Sequence, residues 1–75
     1  MTRDEAMRAF VQARLEDDER AAPATPDPDR ALREVVAKRR ILSRFEQEPD
    51  TLRGAVEDLT FVWLDHADYD PTWSI

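Results

Sequence analysis

Apolar residues recur at helical spacing in three separate runs of this chain, and the breaks between the runs fall at proline. In the first run Met7, Phe10, Val11 and Leu15 follow an i, i+3, i+4 pattern that places them on one face. Thr2 with Glu5 three residues on forms a capping box, and Asp4 adds negative charge at the helix start, so the pattern predicts a helix over about 3–20. In the second run Leu32, Val35, Val36 and Leu42 fall within one arc, with Ala31 and Phe45 at its margin. Asp27 is suited to cap that helix, Pro28 to occupy its first position, and Pro49 to stop it, which predicts 28–47. The third run, Leu52, Ala55, Val56, Leu59, Val62 and Trp63, predicts a helix over 51–66 with Asp50 as its cap.

The connections are short. Pro23 and Pro26 forbid a continuous helix across Ala21–Pro26, and a linker of this length joins antiparallel neighbours within one domain. With a single glycine, Gly54, there is little material for tight hairpins or a phosphate-cradling loop. The expected fold is all-α: one domain over 1–75, either a small three-helix bundle or a helical hairpin plus a third helix. The tail HADYDPTWSI holds Tyr69, Trp73 and Ile75, too apolar for a free end. Asp70 and Pro71 predict a turn that folds Tyr69 and Trp73 back over the last helix near Phe61 or Leu64. Phe61 and Leu64 themselves point away from the third stripe, which leaves apolar surface for the tail or another molecule to cover.

Charge changes the picture at the second helix. The chain carries a net charge of −6, yet the segment 27–48 holds six of its eleven basic residues. Arg33, Arg40 and Arg44 lie at helical spacing opposite the apolar arc, with Arg30 at their N-terminal end. Two readings stand: a solvated face paired to acidic neighbours, or a face that docks on an acidic partner. The run Glu16, Asp17, Asp18, Glu19 ends the first helix, where carboxylates oppose the dipole. In an antiparallel hairpin those acids are expected to meet Arg30 and Arg33. Arg39 falls inside the apolar arc, where it either snorkels outward or pairs with a carboxylate of a neighbouring helix.

Catalytic chemistry finds no foothold in these residues. There is no cysteine, so no disulfide or thiolate zinc site is expected. The one histidine, His66, has no nucleophile context beside it. Asp65, His66, Asp68 and Asp70 invite a metal reading, but Asp65 and His66 diverge on a helix, and a cap-and-turn role is expected instead. No cofactor is implied. No apolar stretch approaches the roughly 18 residues of a membrane span and none resembles a signal peptide, so the expected location is cytoplasmic.

The segments FVQARLEDDER, ATP, LREVVAKRRIL, and TLR followed by DHADYDPTW resemble a family of small actinobacterial and actinophage proteins of unknown function. Members of that family usually carry an inserted stretch with glycine and tryptophan after ATP, and many carry cysteine and histidine pairs ahead of the last helix. Here ATP runs directly into DPDR and FEQEPD directly into TLR, a shortened form. The resemblance implies an actinobacterial or phage origin and a helical core, and brings no site residue with it.

The function expected from these readings is non-enzymatic: an interaction or regulatory accessory protein, in a phage setting a modulator of a host protein. Arg33, Arg40 and Arg44 supply the charge complementarity, and Phe61, Tyr69 and Trp73 are the candidate apolar anchors. The thin core and surplus apolar surface also favour a homodimer. The alternatives are nucleic-acid binding through the arginine face, which the net negative charge opposes, and an acidic nucleic-acid mimic.

Overall fold

A computed structural model describes residues 1–74; Ile75, counted among the tail's apolar groups, lies outside the described residues. The chain forms three helices, α1 (Arg3–Ala21), α2 (Pro28–Gln47) and α3 (Pro49–Thr60). Short 3-10 turns follow at Ala22–Ala24, Phe61–Trp63 and Pro71–Ser74. No strand occurs among the described residues.

Local chemistry sets the helix starts. Thr2 accepts a hydrogen bond from the Glu5 N–H at 3.1 Å and donates its hydroxyl to the Glu5 carboxylate at 3.2 Å, so cap and third residue hold each other. Asp27 accepts from the Arg30 N–H at 3.1 Å, with Pro28 in the first turn. The third helix starts earlier than the Asp50 cap implies. Pro49 is already helical, Glu48 stands at the cap without a side-chain bond, and Asp50 instead binds Arg53 at 3.1 Å. A one-residue break at Glu48 suffices because the Pro49 ring excludes continuation of α2 while its fixed φ suits a first helical turn.

The core joins all three helices and the tail. Met7, Phe10, Val11 and Leu15 of α1 are buried, as their spacing predicts. They meet Val35, Leu42 and Phe45 of α2, Val56 and Leu59 of α3, and Trp73. The stripe of α2 differs from the expected one. Leu32 and Val36 are 41% and 46% exposed, whereas Phe45, expected at the margin, is buried. Both α1 and α3 pack against α2, and burial follows the side between them, through Val35, Ile41, Leu42 and Phe45. Leu32 and Val36 sit on the flank that neither neighbour covers.

The end of α3 is a second difference. The helix stops at Thr60, not 66, and Val62 is exposed rather than part of the stripe. Thr60 is buried and turns its hydroxyl back to the Glu57 carbonyl at 2.6 Å. The chain then tightens through Phe61–Trp63, and successive turn bonds, Leu64 N–H to Phe61 O, His66 N–H to Trp63 O and Tyr69 N–H to His66 O, lead it back across the bundle. A helix continued to 66 would carry the tail away from α1.

The tail folds back onto α3, as expected, with Trp73 and Ser74 beside Gly54, Asp58 and Phe61, and its rings also reach α1. Phe10 gathers Trp73, Trp63, Tyr69 and His66, with ring centroids 5.0, 6.2, 6.2 and 5.8 Å away. Tyr69 and Trp73 meet edge to face at 5.6 Å. Phe61 and Leu64 remain exposed. The expected turn is present: the Asp70 carboxylate accepts from the Thr72 N–H at 2.9 Å and its hydroxyl at 2.8 Å, and those bonds hold it below the usual carboxylate range.

Candidate functional site

The arginine face is built by α2 alone. Arg33, Arg40 and Arg44 are exposed on the side opposite Val35 and Leu42. The rise of a helix spreads them over about 16 Å. Among the described residues none of the three has a carboxylate within ion-pair distance. The other bases of the segment are occupied. Arg30 pairs with Glu34 one turn on at 3.5 Å, and Lys38 stands over the Trp63 ring at 5.4 Å. Arg39 reaches Glu19 of α1 at 2.5 Å, a bond that lowers the Glu19 carboxyl and raises the Arg39 guanidinium from their ordinary values. Of the two roles open to Arg39, the structure shows the cross-helix pair.

The expected pairing of the α1 acids with Arg30 and Arg33 does not form. Glu19 meets Arg39 and Arg8 meets Glu46 at 3.4 Å, which sets the antiparallel register of α1 and α2. In that register Asp18 and Ala21 at the end of α1 lie beside Ala31, Glu34 and Lys38, while Arg33 is exposed on the other side of α2. Asp17 is taken within α1, by Arg14 at 3.2 Å and by Arg20. The arginine face is therefore left without internal neutralisation.

The apolar anchors separate into two groups. Trp73 is 5% exposed and Tyr69 is half-buried, and both pack in the core cluster around Phe10. The early end of α3 lets the tail reach Phe10 of α1 while Trp73 stays beside α3. Phe61 is 55% exposed, but on the far end of α3, and the arginine face and Phe61 are not joined by any contact described here. The apolar groups that accompany the arginines are Leu32 and Val36. Val36 lies one turn from both Leu32 and Arg40 and three residues from Arg33, so the four share one helix surface.

Arg14 is the functional-looking residue that periodicity alone should have raised. It sits one turn beyond Phe10 on the buried stripe of α1, and its side chain is only 13% exposed. Its guanidinium stands over the Phe10 ring at 5.5 Å and contacts both ring nitrogens of His66, with Nδ1 at 2.8 Å. Asp17 at 3.2 Å and Asp68 at 3.9 Å supply carboxylates, while Nε is buried with no partner. The Asp68 N–H donates to His66 Nδ1 at 3.0 Å. This cluster fastens the 66–68 turn to α1. Among the described residues no three His, Cys, Asp or Glu side chains are placed to hold a metal ion, Asp65, His66, Asp68 and Asp70 included. Among the described residues no helix is long and apolar enough to cross a membrane.

The profile of a family of unknown function (DUF6221) matches residues 23–75, which takes in α2, α3 and the tail, and the chain belongs to that family. The α1 segment of the resemblance, FVQARLEDDER, precedes the matched residues. No curated protein and no solved structure matches the chain.

Proposed function

We propose that this member of a family of unknown function is a non-enzymatic interaction protein that docks an acidic surface of another protein on the exposed face of α2. One observation carries the reading: in a chain whose other cations mostly find carboxylates, Arg33, Arg40 and Arg44 have none among the described residues. Leaving three guanidiniums unpaired on one face of a protein of net charge −6 favours an external anion as their counterpart. Leu32 and Val36 add apolar area beside them, the mixed character of a protein interface rather than of a phosphate track. The actinobacterial or actinophage origin that the sequence resemblance implies suits a small modulator of a host protein.

Affinity capture from actinobacterial lysate tests the reading, with and without nuclease, using wild type and the Arg33→Glu/Arg40→Glu/Arg44→Glu variant. A protein partner that survives nuclease and is lost in the variant is the expected result. Recovery that disappears on nuclease treatment moves the same face to nucleic acid, and a partner retained by the variant removes the arginines from the interface.

A further inference from the structure

Three positions of α3 each carry a local cost that nothing described inside the molecule relieves. Gly54 lies in the helix interior, where glycine is a poor helix former. It has no positive φ, and a β-carbon added to it would meet nothing within 4 Å, so neither conformation nor internal packing calls for glycine there. Asp58 lies in the last turn, where a carboxylate opposes the helix dipole and no basic residue accompanies it. Its neighbour Glu57 is neutralised by Arg3 at 2.6 Å, but no ion pair among the described residues includes Asp58. Phe61 follows as a large aromatic left mostly in water.

Gly54, Asp58 and Phe61 are spaced i, i+4, i+7 and so share one face of the helix and the turn that extends it. Together with Glu57, Trp73 and Ser74 they line a groove of about 490 Å³. Local rules broken together at one place mark a surface shaped for something outside the fold. We infer that this groove seats a basic amphipathic helix of another protein. Its backbone comes down on Gly54, a Lys or Arg meets Asp58, and an apolar side chain packs on Phe61. Glycine admits the close backbone approach, the lone carboxylate selects the cation, and the acidic net charge of the chain steers basic segments toward it. The surface is separate from the arginine face and selects the opposite charge, so the inference does not rest on the proposal above.

The test is a titration of ¹⁵N-labelled protein with a roughly 18-residue helical peptide of Leu, Ala and Lys, about five turns long, and with its counterpart carrying Glu for Lys. The basic peptide is expected to shift resonances centred on Gly54, Asp58 and Phe61, and the acidic peptide to leave them in place. Gly54→Gln fills the groove without a steric conflict in the fold, and Asp58→Lys reverses its charge; each should weaken binding at least about tenfold with the melting temperature retained. Asp65→Asn, outside the groove, should bind as wild type. Shifts spread evenly over the acidic surface, or binding undiminished by Gly54→Gln, would overturn the inference. Concentration-dependent shifts at these residues without peptide would also overturn it, by giving the groove to a second copy of this chain.

Discussion

The ring of Trp73, two residues from the end of the chain, lies 5.0 Å from that of Phe10 in the first helix, tilted by 53°. This contact closes the bundle: it ties the tail to α1 and fills the space that the early end of α3 leaves. In a core this thin a single buried aromatic is a large share of the stability. Trp73→Ala should cost about 3–5 kcal/mol. Chemical denaturation followed by far-ultraviolet circular dichroism checks it, and a loss below about 1 kcal/mol would show that the tail is not part of the core.

The two flanks of α2 should respond oppositely to truncation. Phe45→Ala opens a cavity between helices and is expected to cost about 3–5 kcal/mol, while Leu32→Ala and Val36→Ala should stay within about 0.5 kcal/mol of wild type. The sequence pattern alone ranks Leu32 and Val36 above Phe45, so equilibrium unfolding of the three variants decides between pattern and packing.

Gly54→Ala should stabilise. The new methyl group enters open space, and the gain in helix propensity is about 1 kcal/mol, or roughly 4–8 °C in melting temperature for a chain of this size. A thermal melt that falls instead would mean that α3 needs glycine for a reason inside the fold.

Acid should loosen the helix junctions. Arg53 grips Asp4 with two bonds, Nε to Oδ1 at 2.9 Å and Nη2 to Oδ2 at 2.7 Å, which hold the Asp4 carboxyl below its ordinary value and raise the guanidinium. Arg39 does the same to Glu19, and Thr72 to Asp70. A carboxyl whose folded pKa is depressed contributes stability that is fully present above its unfolded pKa, near 4, and is lost as pH falls through the folded one. Stability should therefore be flat from about pH 7 to 5 and decline below roughly pH 4. Asp4→Asn should make that decline shallower in pH-dependent urea melts, and an unchanged slope would remove the Asp4–Arg53 pair as a contributor.

Replacing Arg33, Arg40 and Arg44 with Glu should leave the fold nearly as stable as wild type, within about 1 kcal/mol, because no ion pair described here is broken. Circular dichroism of the triple variant checks this, and a collapse in melting temperature would mean that the face serves the fold itself.

What the chain order alone determined is the set of features governed by interactions within one or two turns. The limits of α2 follow from Asp27, Pro28 and Pro49, and the start of α1 from Thr2 and Glu5. The buried stripe of α1 was legible because its apolar residues occupy a single narrow face. The arginine face was legible too, since i, i+4 spacing places Arg40 and Arg44 together whatever surrounds them. Only the tertiary structure decided which flank of α2 is buried. Its apolar residues span an arc wider than its two neighbours cover, and the position of α3 selects Ile41 and Phe45 over Leu32 and Val36. The same long-range packing ended α3 at Thr60, drew Trp73 into the core, and turned Arg14 into the clasp of the tail. It also left Arg33, Arg40 and Arg44 without an ion pair among the described residues, because which face of α2 meets α1 depends on how whole helices fit, and no local pattern records that fit.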